Sequence, residues 1–155
     1  MSNLAIILAS TSVYRGQLLR KLGLDFSQSK PDCDESPLNN ENATELCLRL
    51  SYEKAASLSS AHPNHLIIGS DQVCLINNEI TGKPGDFAGA FKQLTQASGQ
   101  SIVFYTGLTL LNTQTQQYQQ SLAKFTVHFR KLSSNEITRY LEAEKPYDCA
   151  GSFKS

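Results

Sequence analysis

The sequence predicts a three-layer α/β fold in which helices flank a central mixed sheet. Three observations predict it. Continuous apolar runs at residues 4–9 and around Ile67-Ile68 read as strands buried on both faces. Other segments carry apolar residues at helical spacing behind a capping residue. Strands and helices follow one another in mixed order along the chain, and Asn77-Asn78 turns one strand into a short partner, which argues for a mixed sheet.

Taken in order, Leu4-Ala5-Ile6-Ile7-Leu8-Ala9 is the first strand. Ser10-Thr11-Ser12 offers caps for a helix over residues 13–22, closed by Gly23. Residues 25–30 form a second strand, and the stretch 31–42, rich in Pro, Asn, Asp and Glu, is a loop. A second helix runs over about residues 43–59. Residues 65–76 form a strand that Asn77-Asn78 turns into a partner at 79–81. Asp86 caps a third helix with Phe87, Ala90, Phe91 and Leu94 on its apolar face, stopped at Gly99. Residues 102–111 and 125–129 are strands, joined by a Gln/Thr-rich stretch that reads as an exposed hairpin connection. Phe125, Val127 and Phe129 alternate with Thr126, His128 and Arg130, which gives that strand one wet face. Ser133 and Glu136 form a capping box for a last helix ending before Pro146. No repeat or linker interrupts the pattern, and the expectation is one domain over residues 1–155.

Composition narrows the class. A chain of 155 residues can bury one sizeable core, and 40% apolar with 18% charged residues is the balance of a globular protein. Fourteen basic residues offset fourteen acidic ones, so phosphate binding requires a local cluster rather than a general field. Cys33, Cys47, Cys74 and Cys149 form no CxxC pair, which argues against a zinc or redox motif. No apolar run is long enough to span a bilayer, and Met1-Ser2-Asn3 opens no signal-peptide pattern. The expected setting is the cytoplasm, with the cysteines reduced and no membrane partner. His62, His65 and His128 match no ligand or triad spacing, and no GxSxG, Walker or GxGxxG motif occurs.

A few residues sit where simple packing does not want them. In the second helix Ala43, Leu46, Cys47 and Leu50 form an apolar stripe, and Lys54 falls on its centre. An inward lysine either snorkels to an edge or meets an anion. Asp71 stands in the strand His65-Leu66-Ile67-Ile68-Gly69-Ser70-Asp71-Gln72-Val73-Cys74-Leu75-Ile76 with apolar flanks. A carboxylate there needs a cation, a metal or hydrogen-bond donors, and a structural aspartate bonded to nearby N–H groups satisfies the same pattern. Gly69 suits close approach of a ligand or another backbone. Ser10-Thr11-Ser12 at a helix N-terminus, with Arg15 one turn on, fits an anion, as it also fits an ordinary N-cap. Asp32, Asp34 and Glu35 offer hard oxygen ligands for Mg²⁺ or Mn²⁺ in a loop that is equally suited to solvation. Lys83 in Gly82-Lys83-Pro84 lies on a stiff turn.

In order along the chain, Leu8-Ala9-Ser10-Thr11-Ser12 with Arg15, Asp34-Glu35, Lys54-Ala55, Gly69-Ser70-Asp71, Gly82-Lys83-Pro84, Phe104-Tyr105-Thr106-Gly107 and Cys149-Ala150-Gly151-Ser152-Phe153 resemble the Maf family of nucleotide pyrophosphatases. The resemblance implies a Maf/inosine-triphosphatase-like domain that cleaves nucleoside triphosphates to monophosphate and pyrophosphate with a divalent cation, Mg²⁺ or Mn²⁺. It implies Asp71 as proton acceptor, Glu35 and Asp71 as metal ligands, and Ser10, Arg15, Lys54 and Lys83 as phosphate ligands. Val13-Tyr14-Arg15 and Asp71-Gln72-Val73 stand where dTTP- and UTP-cleaving members carry Pro-Arg-Arg and Asp-Thr-Val. With the ending Cys-Ala-Gly-Ser-Phe-Lys-Ser, they resemble the branch that hydrolyses 7-methyl-GTP and keeps modified nucleotides out of nucleic acids. That branch usually has tryptophan at the place of Tyr14. Tyr14 and Gln72 would then select the base, the aromatic face attracting a positively charged methylated ring. Members usually continue past the position of Ser155 with a glutamate, a strand and a helix, so a C-terminally shortened domain is expected. A homodimer is implied, without direct nucleic-acid binding. Two other readings stay open: a pyrophosphatase for dTTP, UTP or another modified nucleotide, and a nucleotide-binding regulator without catalysis.

Overall fold

The computed structural model describes residues 3–153, so Lys154 and Ser155 of the final motif lie outside the described residues. Six strands and four helices follow one another as β1 (Ala5–Ala9), α1 (Val13–Arg20), β2 (Ser27–Ser29), α2 (Ala43–Ala56), β3 (His65–Ile76), β4 (Glu79–Thr81), α3 (Phe87–Ala97), β5 (Ser101–Asn112), β6 (Gln117–His128) and α4 (Ser134–Glu144). A short 3₁₀ turn at Ala150–Ser152 follows. The sheet order is β2-β1-β3-β5-β6, with β4 paired to β3. β1 runs parallel to β2 and β3, in register Leu8 with Gln28 and Ile7 with Ile67, whereas β4 is antiparallel to β3. The sheet is therefore mixed, and the class is the three-layer α/β one that the sequence predicts. Among the described residues no helix is long and apolar enough to cross a membrane.

The chain divides into two compact units, Met1–Asp71 with Thr106–Ala123, and Gln72–Tyr105 with Lys124–Ser155. In the first unit the inward residues of three strands, Ile7, Ala9, Ile67 and Leu111, pack with Ala55 and Leu58. Leu46, Cys47 and Leu50 of the α2 stripe are buried as well. Two glycines set how closely the helix lies. A Cβ on Gly69 would collide with the Ser51 carbonyl oxygen and stand 2.9 Å from the Ala55 nitrogen. One on Gly107 would stand 2.7 Å from the Cys47 carbonyl oxygen. The missing side chains are what let helix and strands approach.

The second unit has two clusters. Cys74, Ile76, Ala97, Ile102 and Phe104 pack with Phe153, and Ala90 and Leu94 of α3 pack with Ile137 and Leu141 of α4. Burial pushes the Cys74 thiol up to about 12. Gly151 has φ 67°, and a Cβ there would lie 2.5 Å from Cys74 Sγ. The capping box of α4 is present as the sequence suggests, Ser133 and Glu136 exchanging side-chain and backbone bonds.

One element differs from its sequence reading. The Gln/Thr-rich stretch expected as a loop is mostly the first half of β6, and only Thr113–Gln116 turns. β6 closes one end of the sheet order and its residues are almost all exposed. Ladder pairing with β5, rather than side-chain burial, holds it as a strand, so no hydrophobic alternation marks residues 117–124.

Candidate active site

The site begins where β1 ends. Ser10 is buried, and its Oγ accepts from the Ser12 amide at 3.0 Å. Ser12 is the N-cap of α1, its Oγ accepting from Arg15 N at 3.3 Å. Gln28, the register partner of Leu8, donates from Nε2 to the carbonyls of Ser10 and Ser12, both at 3.1 Å. A hydroxyl-rich bend is thereby pinned between strand and helix, at the positive end of the α1 dipole. Tyr14, in the first turn of α1, is 48% exposed.

The ionic centre lies between α2 and β3. Lys54 Nζ stands 2.8 Å from Asp71 Oδ1 and 2.7 Å from Glu35 Oε1. Lys54 and Asp71 are each 7% exposed, whereas the Glu35 side chain is half exposed. The helical stripe places Lys54 inward, and the alternation of β3 puts Asp71 on the same side as Gly69, whose missing side chain admits α2. The Cys47 thiol, about two turns before Lys54 on the stripe, donates to the Asp71 carbonyl at 3.1 Å. Beneath it Ser51 and Thr109 share a buried hydroxyl bond of 2.8 Å.

Charge in this centre is balanced by opposing effects. Burial raises the pKa of Asp71, and this outweighs the attraction of Lys54 and Arg15, which lowers it. Burial opposes the charge on Lys54, but Asp71 and Glu35 together overcome it and its pKa is raised. The result is an ammonium that stays charged and a carboxylate easier to protonate than a free one. Such a carboxylate suits a proton acceptor.

Six of the sequence-predicted residues, Ser10, Tyr14, Arg15, Glu35, Lys54 and Asp71, belong to the first unit. Ion pairs join Glu35, Lys54 and Asp71, and the Arg15 charge acts on Asp71. Gln72 follows Asp71 in β3 and is half-buried, and Lys83 is exposed just after β4. Both belong to the second unit. Asp34 is taken up locally, accepting from the Ser36 amide at 2.9 Å, and is exposed. Among the described residues no group of three or more His, Cys, Asp or Glu side chains is placed to hold a metal ion. Glu35 and Asp71 nevertheless bring two hard oxygens to one cationic point, the Lys54 nitrogen. That donor pair fits an ion such as Mg²⁺, which binds through one or two carboxylates plus phosphates and water.

Sequence reasoning missed Gln28 and the polar role of Cys47. Gln28 carries no motif, and only its register opposite Leu8 reveals it. Cys47 reads as one more apolar residue of a stripe, although its position seven residues before Lys54 puts it on the same face.

A family model described as "Maf-like protein" matches residues 5–155. A protein of Vibrio cholerae serotype O1 named "7-methyl-GTP pyrophosphatase" is 54% identical over 155 residues, covering 100% of this chain and 80% of that protein. One of the same name from Pseudomonas savastanoi pv. phaseolicola is 52% identical over 151 residues, covering 97% and 79%. Another, from Pseudomonas fluorescens, is 54% identical over 152 residues, covering 98% and 79%. With a match over almost its whole length, the chain belongs to the Maf family.

Proposed function

We propose that this chain is a nucleoside triphosphate pyrophosphatase that converts 7-methyl-GTP to 7-methyl-GMP and pyrophosphate. The observation that carries the reading is the buried Lys54–Asp71 pair, a carboxylate of raised pKa held 2.8 Å from an ammonium in a strand with apolar flanks. The name shared by the relatives supports the substrate. Asp71 takes a proton from water as the water oxygen bonds to the α-phosphorus, and the bond from that phosphorus to its bridging oxygen breaks. Pyrophosphate departs with the bonding electron pair. Ser10, the amides at the start of α1, Arg15 and Lys54 bind phosphate oxygens. Exposed Tyr14 stacks on the cationic methylated ring, and Gln72 hydrogen-bonds the base. Glu35 and Asp71 are the residues that would hold a divalent cation, which when bound neutralises charge on the phosphates.

The test is pyrophosphate release from 7-methyl-GTP set against GTP, dTTP and UTP, with Mg²⁺ or Mn²⁺ supplied. Turnover is expected to favour 7-methyl-GTP and to fall roughly 10²- to 10⁴-fold in Asp71→Asn. Wild-type turnover in that variant would remove Asp71 from its role. Nucleotide binding without any pyrophosphate release would replace catalysis with a regulatory function.

A further inference from the structure

We infer that the Lys54 ammonium holds the divalent-cation position in the metal-free protein, so that lysine and metal compete for the same two carboxylates. The inference rests on the assignment of Glu35 and Asp71 as the metal-holding pair. Both carboxylates already point at one cation: Nζ lies 2.7 Å from Glu35 Oε1 and 2.8 Å from Asp71 Oδ1. These are short charge-assisted bonds, and they use two of the three ammonium donors. The lysine side chain is only 9% exposed and that of Asp71 10%, so neither is held by water instead.

Charge counting gives the competition its direction. The two carboxylates and the ammonium that pairs with them sum to −1, before the Arg15 charge that also acts on Asp71 is counted. A divalent ion added beside an unmoved ammonium would make that sum +1, with two cations pressed against the same oxygens in a partly desolvated place. The repulsion is relieved when Lys54 turns to a different anion, and the anion that arrives with the metal is the triphosphate. Lys54 thus releases its carboxylates to the ion and takes a phosphate oxygen. The metal enters readily with nucleotide and poorly alone. The half-exposed Glu35 side chain is the face open to solvent.

The experiment measures Mn²⁺ binding without nucleotide, by electron paramagnetic resonance of the free ion, so it does not depend on turnover. Lys54→Met is expected to bind Mn²⁺ roughly tenfold more tightly than wild type. The double variant Lys54→Met/Glu35→Gln is expected to lose that gain. Equal or weaker Mn²⁺ binding by a folded Lys54→Met protein overturns the inference. If Lys54→Met does not fold, nuclear magnetic resonance of the side-chain ammonium in the wild-type protein decides. Saturating Mg²⁺ without nucleotide must then shift the Lys54 ¹⁵Nζ signal, and an unmoved signal overturns the inference. Absence of pyrophosphatase activity would sink the functional reading while leaving these binding results to stand by themselves.

Discussion

Lys54 and Asp71 are charged side chains where a folded core favours carbon, and each is held there by the other. Breaking such a pair by removing one partner costs about 3–5 kcal/mol, because the survivor is left charged and buried. Their meeting depends on Gly69, two residues before Asp71 on the same face of β3. Gly69→Ala would drive a methyl group into the Ser51 carbonyl and force α2 away. Its expected effect is a loss of about 1–3 kcal/mol in urea unfolding, together with reduced pyrophosphate release. A variant with unchanged midpoint and rate would show that the close approach is dispensable. Much of this pair was legible in the sequence. The 3.6-residue period put Lys54 inward, and the apolar flanks marked Asp71 as needing a partner. Its bond to Glu35 was not legible by periodicity, because Glu35 lies in an irregular loop. The Cys47 thiol bond and the Gln28 clamp were hidden too, since both join residues distant in sequence.

At the scale of elements, capping and glycine signals carried most of the reading. Asp86 and Ser133 cap α3 and α4 where their residue types suggest, and the Asn77-Asn78 turn joins β3 to β4. The N-cap of α2 is Asn42, whose Oδ1 accepts from Glu45 N at 2.8 Å and from Thr44 Oγ1 at 2.8 Å. Asn42→Ala should destabilise the protein by about 1 kcal/mol. Turnover at saturating substrate should hardly change, since the cap lies three turns from Lys54 along the helix. A midpoint identical to wild type in urea would count against the cap. The first half of β6 escaped the reading because a sequence shows side chains, whereas this strand is held through its backbone. Two of its side chains do make ties, Gln120 Nε2 donating to the Leu48 carbonyl at 2.9 Å and Thr109 Oγ1 at 3.0 Å, and the Tyr118 ring lying 4.6 Å from that of Tyr52.

For the whole molecule, balanced charge means that pH acts through particular pairs. Glu136 is hydrogen-bonded by Arg130, which lowers its pKa from 4.5 to about 2. Glu41 is likewise lowered, chiefly by its bond to Arg49. A carboxylate whose folded pKa lies below its unfolded one adds stability above about pH 4.5 and loses it as pH falls toward 2. Asp71, raised by burial, works with the opposite sign and offsets part of that loss. The melting temperature should therefore decline across this acid window, and less steeply in Glu136→Gln. Parallel acid limbs for the two proteins would show that the Arg130 pair contributes nothing measurable. Each compact unit also contains a cysteine with no measurable exposure, Cys47 in one and Cys74 in the other. Neither thiol can meet a labelling reagent until its own surroundings open, and burial makes loss of the Cys74 proton harder in addition. The protein thus carries two internal clocks for opening, and the ratio of their labelling rates reads whether the units breathe separately or unfold as one.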